Sequence, residues 1–425
     1  MGEINLLDPH AIDDPHGYFR QFRDGGPIQW SDRHRAWIVM GHPEHNAAFR
    51  VPRLSTERMS GFRERLSGPR AEALSMAIDL LDGWMLFHEP PEHTRLRGPL
   101  ARSFTPRSVN ALEDRVQQIV DDLLDKMAAT SGGDLVELLT HPLPAAVIAE
   151  LFGVPIDERD WLANWSEKFG VVVFGAVGRD DYDEVAREAG AELEGRLQPL
   201  FDRYRTEPED NLLSLLLAEE HEVDGLTQIE LLGACSLLLF AGHDTTASLL
   251  GSATVALCKN PDVRRAFTAL EGDDLDTAAE EPLRFEAPAK AMMRTVVEDH
   301  EDSGVEMRTG QSVFLNILAA NRDDRVFDSP DDIVLDRDPN PHLTFGFGHH
   351  FCLGAALARL EAKATLSSLF QRFPNLQLDG DPTWRPTISD RSPKELIVPG
   401  SVGRAQPQAF FTPSAKALSS ALPST

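Results

Sequence analysis

The stretch FGFGHHFCLGAALARLEAK, residues 345–363, places Cys352 between Gly346 and Gly348 upstream and Gly354 downstream, just before an alanine- and leucine-rich run. That run predicts a helix, so the cysteine stands at a helix N-terminus. Unpaired N–H groups and the helix dipole there favour a thiolate and should lower the thiol's pKa. The upstream glycines permit tight turns, and Gly354 lets something flat approach the backbone. Three readings follow: an inert buried cysteine, a zinc site with His342, His349 and His350, or a thiolate facing a flat ligand. The zinc set lacks a paired ligand knuckle.

Outward from this stretch, the chain reads as one large, mainly α unit with minor β structure. Short β-like runs occur at PIQW and AWIVMG, and again at SVFLNIL after Arg294. Between them the helical period dominates, as in VNALEDRVQQIVDDLLDKM from Val109. A loop rich in Asp, Pro and Asn fills 321–342, and a Ser-, Ala- and Pro-rich segment ends the chain. We expect one domain over residues 1–400 and a mobile tail over 401–425.

The 425 residues contain three cysteines, Cys235, Cys258 and Cys352, and carry a net charge of −27. So few unpaired cysteines argue for a reducing compartment. The acidic balance argues against nucleic acid or anionic membrane as a partner. The most apolar run, LLGACSLLLFAG at 231–242, is too short to span a bilayer, and the N-terminus shows no signal-peptide pattern. The expectation is a soluble, cytoplasmic protein.

A capping box, Thr227 with Glu230, predicts the start of a helix that runs to about Lys259. Its centre reads AGHDTT, 241–246, where a glycine, a carboxylate and two threonines weaken an otherwise apolar helix. This predicts a local opening that presents Asp244, Thr245 and Thr246 to a cavity; a solvent-facing polar turn is the plainer reading. Glu281 and Arg284 are spaced i, i+3, and His93 and Arg97 i, i+4, so each pair shares a helix face. Arg294 is a further cation in an apolar stretch. Cations converging on one site suit an anionic ligand. A thiolate against a flat macrocycle is the pattern of haem ligation.

Together these motifs resemble the cytochrome P-450 family. FGFGHHFCLG is similar to the family's haem-binding signature Phe-x-x-Gly-x-x-x-Cys-x-Gly, at Phe345, Gly348, Cys352 and Gly354. AGHDTT resembles its oxygen-activating motif, EPLR its Glu-x-x-Arg pair, HTRLR its His-x-x-x-Arg, and RTVVED the strand whose arginine reaches a haem propionate. The motifs occur in the family's order, over nearly the whole chain to about residue 400.

The resemblance implies a single-domain cytochrome P-450 fold with a long central helix over haem b (iron protoporphyrin IX). Cys352 would ligate the iron. His93, Arg97, Arg294 and His350 would bind the propionates, with Phe345, Gly346, Gly354 and Ala358 against the haem. Glu281 and Arg284 would form a structural ion pair. Thr245 and Asp244 would deliver protons for O–O cleavage, with Thr246 steadying the helix or sharing the role. The substrate pocket would be lined by Trp84, Met85, Leu86, Leu238, Ala241, Gly242, Ala289, Met292 and Met293; Lys290 is an unexpected cation there. The implied activity is a monooxygenase acting on a lipophilic small molecule, a monomer without a membrane span. Electrons from NADH or NADPH would arrive through a ferredoxin and its reductase, docking on a patch of Arg95, Arg102, Arg107, Arg359 and Lys363. Rival readings are a peroxide-driven haem-thiolate enzyme and a non-catalytic haem sensor. Two features depart from the family pattern: Pro99 and Pro282 fall inside expected helices, which predicts that those helices start late or bend.

Overall fold

The structure is a computed structural model that describes residues 2–399 apart from 58, 66, 156–158, 160, 175–179 and 222–224. The expected tail, 401–425, lies outside the described residues. The short β-like runs join into one five-stranded sheet. Its strands are β1 (Ile28–Ser31), β2 (Ala36–Val39), β3 (Leu54–Ser55), β4 (Ala291–Val296) and β5 (Ser312–Asn316), in the order β1-β2-β5-β4-β3. The β2–β5 pair is parallel, with Ala36 opposite Ser312, and the other pairs are antiparallel. SVFLNIL splits: Ser312–Asn316 is strand, and Ile317–Ala320 turns into a short helix capped by the Asn316 side chain.

Helices make up most of the rest. Those that bear on the site are α1 (Pro69–Asp82), α2 (Glu92–Ser103), α3 (Glu113–Ala129), α4 (Pro142–Phe152), α5 (Trp161–Phe174), α6 (Tyr182–Thr206), α7 (Gln228–Lys259), α8 (Gly272–Phe285) and α9 (Ala355–Arg372). The predicted capping box is formed: the Thr227 side chain accepts from the Glu230 N–H, and the Thr227 N–H donates to Glu230 Oε2 at 2.8 Å. From there α7 runs for 32 residues, about 48 Å at 1.5 Å per residue. It packs against α1, α4, α5 and α9, so most of its residues are buried. A Cβ on Gly233 would lie 2.8 Å from Gly83 Cα, so only bare backbone lets α7 pass this close to the end of α1.

The predicted opening in α7 is not seen. The helix is continuous through AGHDTT, and Thr245 Oγ1 donates to the Ala241 carbonyl at 2.7 Å. Within AGHDTT only His243 and Thr246 are buried, so it is the packing of the apolar segments on either side that carries the helix through the weak local propensity. Of the two outcomes expected at the prolines, the late start is not seen. Pro99 lies inside α2 and Pro282 inside α8, and neither helix begins late. The carbonyl that a proline leaves without its N–H partner can be met by side chains or neighbouring segments, so packing decides the outcome.

Candidate active site

Cys352 closes a turn built on two glycines in the left-handed region, Gly346 at φ 68° and Gly348 at φ 74°. A side chain at Gly348 would also meet the Phe49 carbonyl at 3.0 Å, so this turn needs glycine twice over. The Cys352 N–H donates to the Phe345 carbonyl at 2.8 Å and fixes the sulfur just ahead of α9. The thiol's pKa is raised, against the expectation from its helix terminus. Burial dominates, although the Gly354 N–H, Arg97 and Arg359 pull the other way. A coordinated metal reverses that balance, since a ligating thiol is deprotonated outright.

The sulfur faces a cavity with about 1260 Å³ free of protein atoms, part of it open to solvent. Its walls come from α2, α4, α7, β4 and α9 and are mainly apolar. Thr245 and Thr246 of α7 line it along with Cys352, as do Arg97, Phe345, His350, Gly354 and Ala358. A Cβ added at Gly354 would meet nothing within 4 Å, so the missing side chain leaves open space beside the sulfur.

Of the predicted cations, Arg97 and His350 line the cavity, whereas His93 and Arg294 are not among its lining residues. Arg97 reaches from α2 to the Phe351 carbonyl at 2.8 Å, which ties it to the cysteine loop. His93, one turn earlier, is 2% exposed, and neither ring nitrogen has a hydrogen-bond partner. Burial, with His350, His349 and Arg97 nearby, lowers its pKa to about 4. His350 is lowered by burial too, and its Nε2 lies 3.3 Å from Thr56 Oγ1. Arg294 is buried on β4, donates to the Met293 carbonyl at 2.9 Å and lies over the Phe49 ring. A buried histidine with two unmet nitrogens, beside cations and a thiol on an open apolar cavity, fits a haem whose carboxylates reach this rim.

Among the pocket residues, Met85, Leu86, Leu238, Ala241, Gly242, Ala289 and Met292 line the cavity as expected. Trp84 and Met293 do not. Trp84 is a core residue, 1% exposed, stacked on Phe87 and Phe240 and donating to Ser236 Oγ at 2.7 Å. Met293 follows Met292 on β4, and successive strand residues point to opposite faces. Lys290 turns away as well: it is 3% exposed and donates to the Thr387 carbonyl.

Asp244 does not line the cavity. Its carboxylate lies 3.7 Å from Arg385 Nη1, and its side chain is 15% exposed. Burial, then Asp390, raises its pKa to about 6, with Arg385 opposing. One residue along a helix rotates a side chain by about 100°, so Asp244 and Thr245 divide between outside and inside.

Glu281 and Arg284 form the predicted ion pair, both fully buried, through bonds of 2.7 and 2.8 Å. The pair is part of a larger network. Arg284 also donates to the carbonyls of Asn321, Pro330 and Asp332, and Arg337 donates to both Glu281 oxygens. Arg337 sits in the 321–342 loop, where no periodicity was available to place it. A second residue missed was Glu361, on the cavity wall and 2% exposed, with Oε2 unpartnered. Burial pushes it up to about 8, so it is neutral at pH 7. Its spacing, three after Ala358 and seven after Gly354, was the available signal.

The zinc alternative does not assemble, because His342 pairs with Glu280 at 2.9 Å instead. The proposed docking patch is largely neutralised. Arg95 pairs with Glu92 and Glu230, Arg102 with Glu219, Arg359 with Glu280 and Lys363 with Asp276. The Arg107 side chain lies outside the described residues. No helix among the described residues is long and apolar enough to cross a membrane.

Comparison with known proteins gives a consistent picture. A profile described as Cytochrome P450 matches residues 178–269 and 275–394. The cytochrome P450 monooxygenase PikC of Streptomyces venezuelae is 38% identical over 413 residues, covering 95% of each chain. The vitamin D(3) 25-hydroxylase of Pseudonocardia autotrophica is 38% identical, covering 80% of this chain and 81% of its own. The crystal structure of epothilone D-bound cytochrome P450epoK superposes with a TM-score of 0.83 at 27% identity, covering 94% of this chain and 99% of that one.

Proposed function

The chain belongs to the cytochrome P450 family of haem b monooxygenases, and on that premise we propose that Cys352 ligates the haem iron while Thr245 and Asp244 serve the proton transfers. Residues 1–400 form the haem domain, acting as a cytoplasmic monomer on a lipophilic substrate, with electrons from a ferredoxin and its reductase. One observation carries this reading: the Cys352 sulfur and the Thr245 hydroxyl belong to two different elements but line one apolar cavity.

When bound, haem supplies the activation of dioxygen. His93, Arg97, Arg294 and His350 hold its carboxylates at the rim, and Gly354 and Ala358 leave it room. Thr245 spends its own proton on the Ala241 carbonyl, so its oxygen faces the cavity as an acceptor that orients a water. Asp244 stands at the outer side of the same turn. With a pKa of about 6 and partial exposure, it exchanges protons with solvent near neutral pH. Arg385 holds it there. Met85, Leu238, Ala289 and Met292 exclude water and favour a lipophilic substrate. One relative is named for vitamin D(3), and one related structure holds epothilone D.

The test is the spectrum of the reduced protein under carbon monoxide. A strongly red-shifted Soret band, absent in Cys352→Ser, is the expected result. A Soret band typical of histidine or thiol ligation in folded protein would overturn the assignment. Spectral titrations with terpenes, steroids and fatty acids then sort the substrate class.

A further inference from the structure

A second cleft, of about 290 Å³, opens between the N-terminal helix Pro15–Arg20 and the short helix Ile317–Ala320 that follows β5. It shares no lining residue with the cavity at Cys352. Phe19, Met40 and Leu318 give it an apolar wall.

Two guanidinium groups line the same cleft. Arg322 is 3% exposed, and its Cζ lies 3.6 Å from the centroid of the Phe285 ring. Its Nη1 donates to Asp331 Oδ1 and its Nη2 to the Phe285 carbonyl, both at 3.2 Å, but its Nε has no hydrogen-bond partner. Buried donors are nearly always met, so this one lacks an acceptor. Arg23 stands next to it: Arg23 Nη2 donates to the Arg322 carbonyl at 2.6 Å, and the side chain forms no ion pair among the described residues. His16 Nε2, on the same wall, is also without a hydrogen-bond partner. Burial, then Arg322, lowers the His16 pKa to about 4, so the ring is neutral at pH 7.

The acids around the cleft are mostly engaged. Asp331 is shared between Arg322 and Arg20, Asp323 pairs with Arg325, and Glu286, 3.4 Å from His16 Nε2, lies 3.6 Å from Arg391. Asp24 and Asp324 also line the cleft, but both are exposed, where solvent and salt screen them. Guanidinium groups match a carboxylate through charge-assisted bonds, and an apolar wall favours a hydrocarbon body beside it.

We propose that this cleft binds a small organic carboxylate, with the anionic group on Arg322 and Arg23 and the apolar body against Phe19, Met40 and Leu318. Inorganic phosphate would meet the guanidinium groups but leave the apolar wall unused. The ligand would bridge the N-terminal helix to the segment after β5. The haem assignment plays no part in this proposal.

The experiment is calorimetric titration of the haem-loaded protein with sodium benzoate, in low-salt buffer free of phosphate and other carboxylates. The Soret band is recorded at each addition. One benzoate per chain, at a Kd below about 1 mM and with the Soret band unmoved, is expected. Arg23→Gln removes one guanidinium at a half-buried position, and Ala319→Met fills the cleft from its wall. Each should weaken binding at least tenfold, whereas Arg265→Gln, exposed on the helix Pro261–Thr268, should leave it unchanged. Phosphate should bind at least tenfold more weakly than benzoate. Four results would each overturn the proposal: no binding at millimolar benzoate, unaltered binding in both cleft variants, phosphate binding as tight as benzoate, or a Soret shift that tracks the heat and so places benzoate at the haem.

Discussion

Replacing Glu281 by Gln changes no volume and removes one charge from the most densely bonded carboxylate around the site. Its Oε1 accepts from Arg284 Nη2 at 2.7 Å, the Val334 N–H at 2.8 Å and Arg337 Nε at 3.2 Å. Its Oε2 accepts from Arg284 Nε at 2.8 Å, Asn340 Nδ2 at 3.1 Å and Arg337 Nε at 3.2 Å. In either orientation, the glutamine NH₂ would face donors instead of receiving them. Arg284, fully buried, and Arg337, at 8% side-chain exposure, would both lose their countercharge. Removing one partner of a buried pair costs about 3–5 kcal/mol. At roughly 2.1 cal/mol/K per residue, the unfolding entropy of a chain this size is about 0.9 kcal/mol/K, so the melting temperature should fall by about 3–6 °C. Burial alone would raise the Glu281 pKa, but the hydrogen bond and charge of Arg284, with Val334 and Arg337, hold it below the usual 4.5. The network's contribution is therefore complete above about pH 4.5 and is lost as the pH falls through the lowered value. The assay is scanning calorimetry at pH 7 and at pH 4, with haem content measured on the same samples. The gap between variant and parent should narrow in acid, and haem incorporation should drop because the loop that Glu281 ties down leads into the cysteine turn. A variant that melts within about 1 °C of the parent at pH 7, with full haem, would refute the reasoning.

Two further predictions concern α7. Thr245→Ala should uncouple reductant consumption from product and release hydrogen peroxide, whereas Thr246→Ala should do so less; peroxide and product yields per NADH decide it, and unchanged coupling in Thr245→Ala counts against the role. Asp244 changes charge near pH 6, so coupled turnover should inflect there in the parent, and Asp244→Asn should flatten the profile between pH 5 and 7. Because its folded pKa lies above the ordinary 3.8, its contribution to stability is complete below that value and is lost as the pH rises through about 6. The same inflection in both proteins would exclude Asp244 as its source.

The site was legible where chemistry demands particular residues at fixed spacing. Glycine at positive φ, a cysteine at a helix start and an i, i+3 ion pair can be read from a string because the backbone fixes their geometry. The capping box at Thr227 was legible for the same reason. What the string could not supply was the direction of side chains on long-range neighbours. Trp84 and Met293 have the right chemistry for a pocket, but a ring stack and a strand's alternation send them elsewhere. Arg337 joins Glu281 from an irregular loop, and Arg385 reaches Asp244 from more than a hundred residues away. The docking patch shows the same limit: each described cation was visible, but the acid paired with it was not.

The Cys352 thiol shows how the local rule and the global environment divide the work. A helix terminus, Arg97 and Arg359 all favour the thiolate, yet burial raises the pKa above its usual value. On the same cavity wall, burial keeps Glu361 neutral at pH 7. An ionised carboxylate there would add a second negative charge to the wall that holds the sulfur; a neutral one does not oppose a thiolate. The wall is thus arranged to tolerate one negative charge without creating it in advance. In the haem-free chain the sulfur keeps its proton and is a poor nucleophile, protected from oxidation to the extent that it stays a thiol. On the proposed assignment, ligation would take that proton from the sulfur, so affinity for the haem iron should rise with pH.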